Sequence, residues 1–395
     1  MTTSLHARPF PDDTLPYAVN PKIAHYLQTN TSPSPCLIVD MDIVKQNFFD
    51  ITAALPFATC HYAVKANPAA PIMDFLVSQD SHFDAASLNE IDLCLQHGAK
   101  AQQILFGNTI KKTSDIITAY TKGVRHYVCD SFQELDKLAK SAPGSFILFR
   151  IRTSGEGAAW PLSKKFGCPP EMAAELIIEA NKLGLVPYGL SFHVGSQQTL
   201  INAYDEALGT CAGIFNEVAK EGIKLQCIDL GGGFPVQYRR ETPIAGVDVY
   251  GAAIAASIGH YFGKDHGLKF LMEPGRYISA SAGVIQAEIV LISYNKEDSS
   301  KRWIYLDIGK YSGLAETEAI EYPIVTAKDG EDAGAVVLAG PTCDSTDIIY
   351  EIADYQLPLS LEVGDKLLLL CTGAYTTTYA SISFNGFAPL KDIYI

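Results

Sequence analysis

From residue 61 to residue 275 the chain repeats one unit: a short apolar run ending in small, polar or charged residues, then a stretch with helical spacing of apolar side chains. The runs are 61–67, 83–87, 104–108, 126–130, 146–152, 188–195, 227–233 and 270–275. Helical patterns such as 87–97, 131–140, 171–183 and 203–221 lie between them. Strands that alternate with helices need crossover connections, which favours a parallel sheet. Eight such units in about 215 residues match an α/β fold of the (β/α)8 TIM-like barrel type in number and length. A doubly wound open sheet shares the alternation, and periodicity alone does not separate the two.

After residue 278 the pattern changes. Segments 284–293, 302–308, 319–327, 335–339 and 366–371 read as strands, with turn signals such as Lys328-Asp329-Gly330 between them, and long helical patterns are missing. The chain therefore divides into a barrel over 36–277 and a second, mainly β domain over 278–395, which the arm 1–35 is expected to join. Within the arm, 21–28 reads as a helix and 36–39 as a brief strand. Asp42 reads as the N-cap of a helix running to Ile51.

A net charge of −14 argues against nucleic acid or an anionic membrane as the main partner. The nine cysteines are scattered, with no CxxC pair and no Cys/His cluster at zinc spacing, so they read as reduced thiols and no metal site is expected. The first 17 residues lack the apolar core of a secretory signal, and no run approaches the roughly 20 apolar residues of a bilayer span. A cytoplasmic protein is expected.

In a barrel the chemistry sits where the C-terminal ends of the strands meet. Those ends supply Lys65, Asp84 and Glu90, Arg150, His193 and Ser196, the triplet Gly231-Gly232-Gly233, and Glu273-Pro274-Gly275-Arg276. Lys65 ends an apolar run, His61 to Ala66. A buried amine there could form a Schiff base with a carbonyl, whereas a strand-end lysine reaching solvent is the plain alternative. Three glycines after a strand can turn their amides toward a phosphate, although flexible loops also contain such triplets. Arg276 would add a fixed cation and Ser196 a hydroxyl. Glu273 beside a pyridine nitrogen would keep it protonated; a salt bridge to Arg276 or Arg150 is the alternative. His193 can stack on an aromatic cofactor or be a hydrogen-bonded core histidine. Pyridoxal 5'-phosphate requires each of these groups, and their conjunction is more specific than any member. In the second domain, Cys343 beside Asp344 pairs a thiol that could protonate a carbanion with a carboxylate that could grip an amine.

These motifs resemble a known family. Tyr62-Ala63-Val64-Lys65-Ala66-Asn67, Phe83-Asp84-Ala85-Ala86-Ser87, His193-Val194-Gly195-Ser196-Gln197, Asp229-Leu230-Gly231-Gly232-Gly233-Phe234-Pro235, Glu273-Pro274-Gly275-Arg276-Tyr277, Cys343-Asp344 and Phe384-Asn385-Gly386-Phe387 resemble, in order, those of the fold-type III pyridoxal-phosphate decarboxylases, with ornithine decarboxylases nearest in pattern. The resemblance implies that Lys65 carries the cofactor, Glu273 faces its ring nitrogen and His193 stacks on its ring. Arg150 would sit near the phenolic oxygen, and Ser196, Gly233, Arg276 and Tyr375 would hold the phosphate, with Asp84, Gly232 and Gly275 also lining the cofactor site. Cys343 would protonate Cα and Asp344 would bind the distal ammonium of the substrate. In that family these two residues reach into the partner's site, which implies a homodimer with shared sites, bridged by a pair matching Lys165 and Asp347. The implied reaction is decarboxylation of L-ornithine to putrescine, a step of polyamine biosynthesis.

One departure is informative. Animal members carry a Tyr-Asp-His segment where this chain reads Glu316-Thr317-Glu318-Ala319-Ile320-Glu321-Tyr322-Pro323, which makes Glu321, then Glu318, the candidate second carboxylate. The chain also stops soon after Phe387, without the degradation tail of the animal enzymes. L-Lysine, alone or together with ornithine, is the alternative substrate. Diaminopimelate fits less well because its distal carboxylate would meet Asp344, and arginine decarboxylases of this type are usually much longer. A non-catalytic regulator resembling the antizyme inhibitors would be expected to have lost cofactor residues that are present here.

Overall fold

The computed structural model describes residues 19–239, 243–264, 266–294 and 301–395. The segment before residue 19, and with it most of the arm expected to join the β domain, lies outside them. The chain forms two compact units, one of Lys45–Pro235 and Pro243–Ile278, the other of the residues through Val44, those from Val236, and Ser279–Ile395.

In the first unit, all eight apolar runs become strands: Ala58–Ala63, His82–Ala85, Ile104–Phe106, His126–Cys129, Phe146–Arg150, Val186–Ser191, Cys227–Asp229 and Lys269–Met272. They pair in parallel and close on themselves, the eighth strand meeting the first at Phe270↔Ala58. A closed parallel barrel covered by helices buries both faces of each strand, so its strands read as unbroken apolar runs; Ile147, Leu148 and Phe149 are all fully buried. Two helices start immediately after their strands on the same device. Ser87 caps helix Leu88–Gln96 by accepting from Glu90 N–H at 3.3 Å, and Ser131 caps Phe132–Ser141 by accepting from Glu134 N–H at 3.4 Å. Short connections of this kind hold the strand ends, and the side chains on them, in fixed places.

The second unit is built on an eight-stranded sheet. Its path runs Ile324–Thr326, Lys366–Leu370, Gly283–Tyr294, Arg302–Leu306, Ala333–Ala339, Ile348–Pro358. Cys36–Val39 does not belong to the barrel, where the boundary at 36 had placed it. It pairs antiparallel with Gly283–Gln286 and parallel with Lys391–Tyr394. The cap of helix Met41–Ala54 is Asp40, not Asp42: buried Asp40 accepts from Asp42 N–H at 2.9 Å through Oδ1. The strand read over 319–327 shrinks to Ile324–Thr326, behind a short 3-10 turn, Ala315–Glu318. Ile348–Pro358 is a strand that the sequence pattern does not predict. No described helix is long and apolar enough to cross a membrane. All nine cysteines are free thiols, and all but Cys343 and Cys371 are buried.

Candidate active site at the barrel mouth

Lys65 occupies a single 3-10 turn, Val64–Ala66, directly after the first strand. Its side chain is 45% exposed, so it is not the buried amine that its apolar neighbours suggest, and its ammonium lies 2.6 Å from Asp84 Oδ2. Asp84, in the second strand, is buried, and a buried carboxylate needs such a cation. Glu90 turns back to accept from Ala86 N–H at 2.6 Å, so it helps to hold the end of this strand.

Arg150 ends the fifth strand with its guanidinium 5.0 Å from the Phe166 ring. His193 follows the sixth strand, and its Nδ1 accepts from Gly195 N–H at 3.0 Å, which leaves the ring proton on Nε2. Burial pushes the basicity of His193 far below the usual imidazole range, and the charges of Arg150 and Lys65 push it further. The ring is therefore neutral at physiological pH, as a stacking group should be.

Gly231 and Gly233 adopt φ of +65° and +101°, a backbone region that favours glycine. Gly232 is required for another reason. A Cβ there would lie 2.5 Å from the Glu273 carbonyl oxygen and 3.4 Å from His193 Nε2. The glycine loop thus closes against both the eighth strand end and the histidine ring. Arg276 donates through Nη2 to Ser196 Oγ at 3.3 Å and lies 5.2 Å from the Trp160 ring. Gly275 lets the eighth strand end pack on the lysine turn, because its Cβ would come within 2.8 Å of Ala66 Cβ.

The carboxyl of Glu273 interacts with that of Asp229, the last residue of the seventh strand. Burial holds the Glu273 carboxyl far above the ordinary range, and the charges of Asp229 and Asp84 add to this while Lys65 opposes it. Two buried carboxyls that repel each other resist ionising together, so burial and mutual repulsion hold both above the ordinary carboxylate range. Asp229 also accepts from Ser191 Oγ at 3.0 Å and from Gly231 N–H at 2.9 Å. Sequence alone assigns Asp229 no role. The available signal was an acidic residue closing a buried strand immediately before the glycines.

The remaining candidates lie in the β unit. Cys343 is exposed on the loop after strand Ala333–Ala339, and its N–H donates to Asn385 Oδ1 at 2.9 Å. Asp344 Oδ1 accepts from Thr346 N–H at 2.9 Å and Oγ1–H at 2.7 Å, bonds that hold its carboxyl below the ordinary range and keep it ionised. Tyr375 stands in a left-handed turn at φ +56°. Glu321 does not present a vacant carboxylate: its Oε2 is 2.7 Å from Arg239 Nη1, and that guanidinium lies 3.9 Å from the Tyr355 ring. Glu318 is 75% exposed and 3.8 Å from the Lys310 ammonium. Asp347, matched above to an intersubunit pair with Lys165, is buried and spent within its own chain, accepting from Lys310 N–H at 2.8 Å, Thr342 N–H at 3.2 Å and Thr342 Oγ1–H at 2.7 Å.

The barrel residues fit pyridoxal phosphate on structural grounds. They provide an amine on a strand end, a glycine loop that no larger residue could close, an arginine and a serine beside it, and a buried carboxyl whose ionisation burial opposes. Residues 41–280 match the family model of the pyridoxal-dependent decarboxylases, pyridoxal binding domain. The lysine/ornithine decarboxylase of Selenomonas ruminantium is 33% identical over 90% of this chain and 88% of its own. Antizyme inhibitor 2 of Xenopus laevis is 33% identical over 89% of this chain and 78% of its own. The arginine decarboxylase structure of Paramecium bursaria Chlorella virus superposes with a TM-score of 0.86 at 28% identity, covering 95% of this chain and 99% of that one. The chain belongs to the pyridoxal-phosphate-dependent ornithine/lysine/arginine decarboxylase family, a carboxy-lyase with a (β/α)8 barrel and a second, mainly β domain.

Proposed function

We propose that the protein decarboxylates L-ornithine to putrescine and carbon dioxide, with L-lysine as the second substrate. The observation that carries this reading is Asp344, an ionised carboxylate on a loop, 340–347, that contains no lysine or arginine. Such a loop attracts a distal ammonium and repels the distal carboxylate of diaminopimelate. Glu321 is withdrawn from this role by Arg239, which leaves Asp344 as the carboxylate on which the reading stands. Chain length does not count against arginine, because this chain covers 99% of the viral arginine decarboxylase; arginine therefore belongs in the assay.

Bound pyridoxal phosphate supplies a protonated ring that accepts the electron pair left when carbon dioxide departs. Lys65 is the residue to hold it covalently, with Asp84 orienting the amine. Arg276, Ser196 and the amides of the glycine loop would take the phosphate, and family resemblance adds Tyr375 as a further ligand. Neutral His193 would lie on the ring without competing for its charge, and Arg150 would face the phenolic oxygen. Glu273 would hold the ring nitrogen, Asp344 the distal ammonium, and Cys343 would return a proton to Cα. The reading extends to a cytoplasmic homodimer in which Cys343 and Asp344 serve the partner's site. Exposed Tyr379, Ile382, Phe384 and Phe387 lie close in the chain to Asn385, the residue bonded to Cys343 N–H, and exposed apolar side chains there favour burial against a second copy.

Two experiments test this. Incubation with ornithine, lysine, arginine and diaminopimelate in parallel should give putrescine most rapidly, and turnover of diaminopimelate alone refutes the acidic-loop argument. Lys65→Ala and Asp344→Ala should each be inactive as pure proteins, yet their mixture should recover about a quarter of the wild-type sites through hybrid dimers. A mixture that stays inactive refutes shared sites. Loss of the yellow, borohydride-sensitive chromophore in Lys65→Ala checks the cofactor attachment separately.

A further inference from the structure

We infer that the cavity at the floor of the barrel, at the end opposite the cofactor site, binds a small oxyanion and takes up a proton as the anion enters. Parallel strands put all their C-terminal ends at the mouth, so their first residues gather at the other end. His82, His126 and Lys269 are the first residues of the second, fourth and eighth strands. Together with Thr59 and His61 of the first strand and Tyr188 of the sixth, they line a cavity of about 330 Å³. The rings are packed on one another: His61 lies 4.8 Å from His82, and His126 stacks on Phe146 at 5.0 Å and meets Tyr188 edge-on at 5.4 Å. A polar floor that merely meets water is the plain alternative, but such a floor gains nothing by leaving out one sign of charge. Here the described lining residues include no carboxylate, and Lys269 is the one that is charged at neutral pH.

The imidazoles are not placed for a metal: among the described residues no group of three or more His, Cys, Asp or Glu side chains could hold an ion. An anion suits them better, with charge from Lys269 and hydroxyl donors from Tyr188 and Thr59. His61 supplies the proton-linked step. Its Nδ1 is 3.3 Å from Thr59 O, and a carbonyl only accepts, so the neutral ring carries its proton on Nδ1 and a lone pair on Nε2. That lone pair repels an anion, whereas a proton added to it makes a charge-assisted donor. The titratable and charged groups facing His61 are His82 beside it and His126, Tyr188 and Lys269 around the cavity; behind His82, Asp80 is paired with Lys100 at 3.6 Å. With the cavity free of anions, burial and then His82 keep His61 at about 3, and burial, His82 and Lys269 keep His126 at about 4. A negative charge among these groups opposes both effects, so an N–H bond forms at an imidazole nitrogen, with the proton drawn from solvent. By linkage, the anion must then bind more tightly as pH falls from the value of the occupied site toward that of the empty one.

Equilibrium dialysis of the holoenzyme against ³⁵S-sulfate tests this. Pyridoxal phosphate then already occupies the phosphate site at the mouth, and sulfate keeps its charge across the pH range, so any pH dependence belongs to the protein. A single saturable sulfate per chain is expected at pH 5.5, bound roughly tenfold more tightly than at pH 6.5 for one proton taken up. Calorimetry in two buffers of different ionisation enthalpy should register that uptake directly. Lys269 is exposed, so Lys269→Gln leaves the core intact; it should weaken sulfate roughly tenfold or more. His61→Phe should reduce the proton uptake. Competition by unlabelled phosphate and by malonate, in separate arms, shows by the tighter competitor whether the ligand is a phosphate or a dicarboxylate. Absence of a saturable site at pH 5.5, an affinity that does not change with pH, or wild-type affinity in Lys269→Gln each overturns the inference. If His61→Phe does not fold, the buffer comparison on the wild-type protein and Lys269→Gln decide.

Discussion

The end of the barrel opposite the site makes a quantitative prediction about acid. Thr59, His61, His82, His126, Tyr188 and Lys269 line a cavity of about 330 Å³ that also meets Leu148 and Leu271. His61 is buried with its ring 4.8 Å from that of His82, and burial and the neighbouring His82 lower it from an ordinary 6.5 to about 3. Protonation of such a group is easier in the unfolded chain. Its stabilising effect is therefore complete above the unfolded value near 6.5 and is lost as pH falls from there toward the folded value. Between pH 8 and pH 5 this costs roughly 2 kcal/mol for His61, and about 5 kcal/mol by the time it is fully protonated. His126, lowered to about 4 mainly by burial, adds a similar loss in the same window. His61→Phe keeps an aromatic ring beside His82 and removes the titration. Each unit holds one of the two tryptophans, Trp160 in the barrel and Trp303 in the sheet, so a Trp303→Phe background makes emission report the barrel alone. Urea midpoints in that background should fall less steeply for His61→Phe on going from pH 8 to pH 5, the two curves drawing together by roughly 2 kcal/mol. Parallel curves would refute the reasoning.

Gly232→Ala places a Cβ 2.5 Å from the Glu273 carbonyl oxygen, an overlap costing about 1–3 kcal/mol. Titration of the stripped protein with pyridoxal phosphate should then show affinity roughly 10- to 100-fold weaker, and unchanged affinity would mean that the loop does not hold the phosphate. Cys343→Ala should decarboxylate at a reduced rate but misplace the returning proton, releasing an aldehyde and pyridoxamine phosphate; an unaltered product profile excludes the thiol. Asp347→Ala removes the acceptor of two backbone N–H groups and one hydroxyl. It should destabilise the β unit by about 2–4 kcal/mol, read from Trp303 emission. A smaller loss would show that water replaces the carboxylate.

What could be read without coordinates follows from short-range rules. The eight barrel strands appear as apolar runs because both faces of each are covered, and their polar terminal residues mark the mouth. Lys65, Asp84, Arg150, His193, Ser196, Gly232, Glu273 and Arg276 are legible for that reason: each sits on or just after a strand end, so strand order alone brings them together. Ile348–Pro358 is not legible in the sequence because its pattern is irregular, with Ile352 93% exposed and the pairing register shifting beside Leu338.

Long-range pairing decided the rest. Closure of the barrel, rather than an open sheet, rests on Phe270 meeting Ala58. Cys36–Val39 is an apolar tetrapeptide that would suit either unit, and its partner at Gly283–Gln286 assigns it. Glu321 reads as a vacant carboxylate until Arg239, 82 residues away in the chain, is found against it, and Asp229 becomes more than a strand end only when Gly231 N–H and Ser191 Oγ are found against its carboxylate. Side-chain spacing reports which faces are buried. The ionisation and availability of a charge are set by whatever the fold puts opposite it, and local sequence carries no record of that partner.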